Sequence, residues 1–341
     1  MNRTEFKNLI SASEYDFLRT NPYLGDNIIL LTLGGSYGYG TNVPGSDVDI
    51  RGVTCDSKRD IIGFGTFEQV TDSHTDTTIY GFRKFVQLLI NCNPNVIEIL
   101  GCKPDTYFVV SKEGKLLLDN KSLFLSKKAI YSFGGYANDQ LRRMQMKLLT
   151  TDTSKEVGEE FALRSVKRVL NGFNLQHNAP NGKENIFDIS IGKVIGEDEQ
   201  QLIVNSSFHN YPLRDFKGLI KAVNSTVGQF DSLGKRNDKK DVPHINKHAM
   251  HLVRLYLMAF DILERGEIIT YREKEHDLLM DIRNGKYMLP DETYAPEFFE
   301  MIDSYEQRLQ YDTKNTALPD KPDMKKIEEL VMTINESIVK R

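Results

Sequence analysis

Two aspartates, Asp47 and Asp49, stand two residues apart, about ten residues after the turn Gly34-Gly35-Ser36. If they lie on a β-strand, both carboxylates point to the same face, because side chains alternate along a strand. Two neighbouring carboxylates repel each other unless a cation lies between them. Hard carboxylate oxygens suit Mg²⁺ or Mn²⁺ that carries a nucleotide. The spacing therefore predicts a metal site at Asp47 and Asp49.

A third carboxylate would complete a two-metal site for in-line displacement at phosphorus. Asp76 opens the next strand-like run, DTTIY, and is our candidate for this position, with Asp72 in reserve. We therefore predict that Asp47, Asp49 and Asp76 form one catalytic acid site.

The turn Gly34-Gly35-Ser36 permits a second kind of contact. Glycine has no side chain to obstruct a ligand, so backbone amides and the Ser36 hydroxyl could approach a triphosphate closely. The same residues also match G-x-S-x-G, the nucleophile elbow of serine hydrolases. A hydrolase would continue as alternating strands and helices, whereas this chain becomes helical. Walker A and Rossmann loops fit poorly, because the required lysine or last glycine is missing.

The elements that must position these residues can be read from apolar periodicity. Strand patterns fall at residues 26–33, 46–55 and 75–82, and a helix pattern at 83–92. Further helices are expected over residues 126–149, 159–176 and 243–266, and a β-hairpin insertion at about 180–210. The pattern predicts an α+β fold in which a mixed sheet with flanking helices precedes a helical bundle.

Composition agrees with an ordinary globular protein. The chain has 341 residues, 40% hydrophobic and 27% charged, which suits about two domains. There is no apolar run long enough for a membrane span, and the polar N-terminus does not resemble a secretory signal. Three cysteines without a CxxC pair favour a reducing cytoplasm. The net charge of −4 gives no overall attraction to nucleic acid.

The segment LGGSYGYGTNVPGSDVDI resembles the polymerase-β-type nucleotidyltransferase superfamily, which has a glycine turn, about ten residues, two alternating aspartates and one further acid. A narrower resemblance extends to IYGFRKFVQLLINCNPNVIEIL, NKHAMHLVRL and IRNGKY. These blocks are similar to the RNA-repair-associated polymerase-β-like family of bacteria and phages. The size and style of the chain are typical of a phage member.

The resemblance implies a minimal nucleotidyltransferase catalytic domain at residues 1–125 and a helical domain at 126–341. Gly34, Gly35 and Ser36 would hold the nucleotide phosphates, and the three aspartates would hold Mg²⁺ or Mn²⁺. Asp76 would also accept a proton from the attacking hydroxyl.

The implied reaction transfers an NMP from an NTP such as ATP to a hydroxyl and releases pyrophosphate. The expected acceptor is an RNA 3′ end, with a functional link to an RNA ligase, in the cytoplasm (the host's, if the chain is phage-encoded). A protein or small-molecule hydroxyl is an alternative acceptor. A nucleotide- or RNA-binding module without catalysis is an alternative of another class. The sequence does not reveal which NTP is used.

Basic residues in the helical half are the remaining candidates for nucleotide binding. Lys247, His251 and Arg254 follow helical spacing and would form one cationic stripe. They would contact phosphate, or would form structural ion pairs with acids such as Asp281.

Arg283 and Lys286 lie in the segment RNGKY, where they would reach the triphosphate or form an exposed basic loop. The histidines at 244, 248 and 251 share one helix and are therefore poorly arranged for a tetrahedral zinc site.

Overall fold

The fold is given by a computed structural model, which describes residues 1, 3–130, 132–134, 137, 186–193, 200–213, 216–221, 224, 242–290 and 294–340.

A five-stranded mixed sheet forms the centre of the N-terminal region. Its strands are β1 (Ile28–Leu33), β2 (Ile50–Thr54), β3 (Gln69–Asp72), β4 (Thr77–Gly81) and β5 (Tyr107–Val110), in the order β3-β4-β2-β1-β5. The central strand β2 pairs antiparallel with β1 and parallel with β4. Every residue of β1 is buried, as expected for an apolar run in the middle of a sheet. The sheet and its flanking helices confirm the predicted α+β class.

The sheet strands begin later than the sequence patterns predict. Asp47 and Asp49 precede β2, and Asp76 precedes β4, so the prediction that these acids lie within strands is wrong. For Asp76 the physical reason is its own backbone, whose φ of 46° is left-handed and unsuited to a strand, so that β4 begins at Thr77. On the other side, β1 ends at the Gly34-Gly35 turn. The carboxylates are consequently carried by the loops that lead into β2 and β4, at one end of these strands.

The helices lie before, between and after the strands in the sequence. The α-helices run over α1 (Arg3–Ile10), α2 (Phe17–Thr20), α3 (Gly35–Tyr39), α4 (Lys58–Ile62), α5 (Phe82–Ile90), α6 (Pro94–Ile97), α7 (Lys112–Asp119), α8 (Val242–Phe260), α9 (His276–Arg283), α10 (Pro296–Asn315) and α11 (Met324–Val339). Helix α8 continues as a π-helical turn, Asp261–Arg265, and ends at Gly266 in the left-handed conformation. The predicted proline near its start and glycine just past its end are both confirmed.

The predicted β-hairpin is also confirmed. Strands β6 (Ile186–Lys193) and β7 (Gln200–Ser207) pair antiparallel within the predicted insertion. The predicted helix at 159–176, and the part of the helix at 126–149 beyond residue 137, lie outside the described residues. In the described part of the chain, none of the helices has the length and apolar character that crossing a membrane requires.

Contacts divide the chain into two compact units. One combines Met1–Asp139, Ala249–Tyr287 and Tyr294–Arg341, and the other combines Gln140–His248 and Met288–Thr293. The first unit contains the sheet and most of the C-terminal helices. The division differs from the boundary between residues 125 and 126, which stays a prediction about catalytic and helical domains.

A buried carboxyl group lies among the C-terminal helices of the first unit. Asp312 in α10 is 6% exposed. Burial, together with the neighbouring charge of Glu264, raises the pKa of Asp312 to about 6. Arg308 opposes this shift and donates two hydrogen bonds to Glu264, at 2.7 and 2.8 Å. The folded state therefore favours a protonated Asp312.

Because the folded pKa of Asp312 lies above its ordinary value, its stabilising contribution is full in acid and is lost as pH rises through about 6. We expect the free energy of unfolding to fall by about 1 kcal/mol from this group between about pH 5 and about pH 7.5. Asp312→Asn should remove that fall, as measured by urea denaturation at both pH values. An unchanged pH dependence in the variant would contradict the assignment.

Candidate active site

The glycine turn brings the end of β1 against Asp49. The amide of Gly34 donates to the Asp49 carbonyl at 2.9 Å. Gly35 adopts a φ of +52°, and a Cβ atom there would lie 1.8 Å from Oδ2 of Asp49. Within the part of the chain that the structure describes, the Ser36 side chain makes no hydrogen bond. The turn therefore requires glycine for its backbone conformation and for the close approach of Asp49.

The sheet register brings two of the three predicted acids together. Ile50 of β2 pairs with Thr77 of β4, so Asp49 and Asp76 stand at the same end of neighbouring parallel strands. Nη2 of Arg51 lies 2.8 Å from Oδ1 of Asp49 and 3.2 Å from Oδ1 of Asp76. One guanidinium nitrogen therefore contacts both carboxylates.

Asp47 is exposed, two residues before Asp49. Asp72, the reserve candidate, accepts hydrogen bonds from the Thr75 amide and hydroxyl at 2.8 and 2.9 Å. These hydrogen bonds lower the pKa of Asp72 and commit its carboxylate to the turn that precedes β4.

A metal would find two carboxylate ligands here and no complete triad. Among the described residues, no three His, Cys, Asp or Glu side chains are grouped so that they could hold one metal ion. Asp49 and Asp76 nevertheless direct one oxygen each to the same point, which Nη2 of Arg51 occupies. Mg²⁺ commonly takes one or two carboxylates and completes its octahedron with substrate phosphates and water. The donor set at this point fits such an ion.

A buried polar cluster supports the helix that follows the turn. The Tyr39 hydroxyl donates to Oε2 of Glu98 at 2.7 Å, and Nη1 of Arg254 donates to the same oxygen at 3.2 Å. The Arg254 guanidinium lies 3.6 Å from the centre of the Tyr39 ring. Burial raises the pKa of Glu98, and Arg254 opposes that shift.

Arg254 is therefore placed as a structural ion pair, with Glu98 as its acid rather than Asp281. Its predicted contact with nucleotide would have to be made from a buried position, since it is 5% exposed. His251 lies edge-on to the same Tyr39 ring, with 6.3 Å between ring centres. The predicted nucleotide-binding roles of both residues stay predictions.

The loop after the turn is held by a C-terminal segment. The Arg272 amide donates to the Tyr39 carbonyl at 3.0 Å, and Nη1 of Arg283 donates to the Thr41 carbonyl at 2.6 Å. The Tyr271 ring lies so close to Gly40 that a Cβ atom there would meet it at 2.6 Å. Arg283, predicted to reach the triphosphate, thus contacts the loop that adjoins the proposed phosphate turn.

The other two predicted basic residues lie on exposed surfaces. Nζ of Lys286 pairs with Asp281 at 2.6 Å, and this pairing raises the pKa of Lys286. Lys247 is exposed and belongs to the second compact unit. Their roles in nucleotide binding stay predictions.

Sequence reasoning does not single out Arg51, and it does not link Tyr39 with Glu98. Arg51 could have been found, because it continues the alternation that begins at Asp47 and Asp49. Glu98 and Tyr39 are 59 residues apart, and no local pattern links them.

Comparison with known proteins identifies a matching family. Residues 5–171 match the RNA repair pathway DNA polymerase beta family, RlaP. Neither a curated protein nor a solved structure matches the chain. The matched residues include the glycine turn, all three predicted acids and Arg51.

Glycine at position 35 permits both a left-handed backbone and the close approach of Asp49, and the two effects can be measured separately. Gly45 is also left-handed, with a φ of +83°, but a Cβ atom there would meet nothing within 4 Å. Gly35→Ala and Gly45→Ala should share a conformational cost of about 1–2 kcal/mol. Gly35→Ala should cost at least about 1 kcal/mol more, because Asp49 must move. Equal losses in denaturant unfolding would show that the approach of Asp49 is unimportant for stability.

The role of Arg254 can be tested through stability. Arg254→Met removes one partner of a buried ion pair, a change that costs about 3–5 kcal/mol in general. We expect about 2–3 kcal/mol, because Glu98 can take up a proton when its partner is lost. Lys115→Met, which breaks the exposed pair with Asp119, should change unfolding very little. Near-normal stability with lost nucleotide affinity would instead make Arg254 a nucleotide ligand.

Proposed function

Because residues 5–171 match the RNA repair pathway DNA polymerase beta family, we propose that the chain transfers an NMP from an NTP to a hydroxyl acceptor. The products are a nucleotidylated acceptor and pyrophosphate. One observation carries the proposal: the carboxylates of Asp49 and Asp76 converge on one positively charged group, the guanidinium of Arg51, beside the glycine turn. Such a site lies within reach of both a triphosphate and an attacking hydroxyl.

The convergence of Asp49 and Asp76 supports a requirement for Mg²⁺ or Mn²⁺. Asp49 and Asp76 would hold the metal, with substrate phosphates and water as the remaining ligands. A part for Asp47 in metal binding stays a prediction, because the described residues contain no group of three such side chains. When bound, the metal would stabilise charge on the α-phosphate and on the leaving pyrophosphate.

The chain's own residues bind and orient the substrates. The backbone of Gly34 and Gly35 approaches the phosphates, and the Ser36 hydroxyl donates a hydrogen bond to a phosphate oxygen. The Asp76 side chain is 59% exposed, so an incoming hydroxyl can reach it. Its carboxylate accepts the proton as that hydroxyl attacks.

The acceptor that we favour is the 3′ hydroxyl of RNA, on the basis of the family's association with RNA repair. In this role the enzyme would restore or modify an RNA end in the cytoplasm before an RNA ligase joins it. Transfer to a protein or a small molecule would use the same acid site, and binding without catalysis would leave it unused.

The test is a transfer assay with each labelled NTP, Mg²⁺ or Mn²⁺, and either RNA or cell lysate. We expect label on RNA with one pyrophosphate released per transfer, and no label when the RNA 3′ hydroxyl is blocked. Asp49→Asn should lower turnover by more than about a hundredfold, since even indirect supports of a metal site are worth 10–100-fold. Asp119→Asn, at an exposed carboxylate, is the control.

Other outcomes would redirect the proposal. Label on protein from the lysate would make the chain a protein modifier. Nucleotide binding without pyrophosphate under either metal would indicate a binding module. Near-normal turnover of Asp49→Asn would contradict the assignment of the acid site.

A further inference from the structure

Arg51 lies where a metal would have to bind. Its Nη2 atom contacts Oδ1 of both Asp49 and Asp76, and its Nη1 atom donates to the Ile50 carbonyl at 3.0 Å and to the Asp76 carbonyl. The side chain is 20% exposed. Arg51 is therefore partly enclosed, and it neutralises the carboxylates that the proposed function assigns to a metal.

The stem of Arg51 crosses the glycine turn. A Cβ atom at Gly34 would lie 2.7 Å from Cγ of Arg51, and one at Gly35 would lie 1.8 Å from Oδ2 of Asp49. The two glycines of the turn thus admit two side chains of the acid site. The side chain of Arg51 therefore packs against the glycine turn, which is proposed to hold the phosphates.

We propose that Arg51 is the resident cation of the acid site, that metal loading displaces it, and that it then binds the triphosphate. The inference rests on the proposed function and assigns a residue that the sequence motif does not include. Arg51 holds Asp49 and Asp76 together before the metal arrives and contacts phosphate afterwards.

Displacement follows from charge and size. A guanidinium nitrogen and a divalent cation cannot share one point between two carboxylates, because like charges repel strongly at contact distance. Mg²⁺ also requires oxygens at about 2.0–2.1 Å, closer than a hydrogen bond allows. Metal binding must therefore break the contacts of Arg51, and the apparent metal affinity falls by the fraction of molecules in which Arg51 has already moved.

Phosphate is the natural destination for the displaced guanidinium. The aliphatic part of the Arg51 side chain packs against Gly34. If it keeps this contact, the guanidinium remains beside the glycine turn after it leaves Asp49. A planar guanidinium binds phosphate oxygens through two parallel hydrogen bonds, which a lysine cannot reproduce.

The first arm of the test measures binding of Mn²⁺ alone to the full chain. Arg51→Gln should bind Mn²⁺ about tenfold more tightly than the unaltered protein, because no resident cation competes. Arg19→Gln, which removes an arginine paired with the exposed Asp16, should leave Mn²⁺ affinity unchanged. Unchanged or weaker Mn²⁺ binding by Arg51→Gln would overturn the exchange, as would absence of Mn²⁺ binding in both proteins.

The second arm measures affinity for a non-hydrolysable NTP with Mn²⁺ present. Arg51→Gln should bind it more weakly, and Arg51→Lys should recover part of the loss by charge alone. Equal nucleotide affinity in all three proteins would overturn the phosphate role.

A third readout needs neither metal nor nucleotide. In metal-free protein, the Tm losses of Arg51→Gln and Asp76→Asn should not add in the double variant, because both break one contact. Additive losses would overturn the resident-cation role.

Failure of this inference is distinguishable from failure of the proposed function. Metal-dependent transfer in a protein whose Arg51→Gln variant gains no Mn²⁺ affinity would leave the function standing and remove the exchange. If Arg51→Gln binds Mn²⁺ more tightly but the unaltered protein transfers no nucleotide, the exchange would stand and the proposed function would fail.

Discussion

The central constraint is the repulsion between two carboxylates at one end of neighbouring parallel strands. The pairing of Ile50 with Thr77 fixes Asp49 and Asp76 beside each other, and like charges at that distance need a cation. Arg51 supplies it. The glycine turn serves the same arrangement, because side chains at Gly34 and Gly35 would collide with Arg51 and Asp49. The glycines and the acids are thus parts of one packed unit.

The C-terminal half contributes to this unit by fixing the loop that follows the turn. Glu98 joins the Tyr39 hydroxyl to Arg254, and Arg283 holds the Thr41 carbonyl. Cations on helices α8 and α9 therefore support the residues that follow the glycine turn. Buried charges that are paired and hydrogen-bonded can specify one conformation, and a rigid turn is what phosphate binding requires. The conformation of the glycine turn would then depend on Glu98, Arg254 and Arg283, which lie far from it in sequence.

Local patterns were sufficient for much of the fold. The apolar run before Gly34 predicted β1, helical periodicity predicted α8, and alternating residues predicted the hairpin of β6 and β7. Strand starts were missed, because the left-handed backbone of Asp76 cannot be read from an aspartate in a strand-like run.

For the candidate site, the spacing of glycines and aspartates pointed to a segment in which Asp49 lies against the glycine turn. It did not reveal the residues that contact this segment from elsewhere in the chain. The pairing of Arg254 with Glu98 spans 156 residues of sequence. The bridge made by Arg51 depends on which strands are neighbours and on their direction. Such contacts are decided by tertiary packing, so single-sequence patterns cannot supply them.

The most direct test of the acid site is a crystal structure of the full chain with Mn²⁺ and a non-hydrolysable NTP, recorded at the manganese absorption edge. The assignment predicts an anomalous peak within coordination distance of Asp49 and Asp76, with the triphosphate against Gly34, Gly35 and Ser36. A nucleotide bound elsewhere, or manganese remote from both carboxylates, would contradict it.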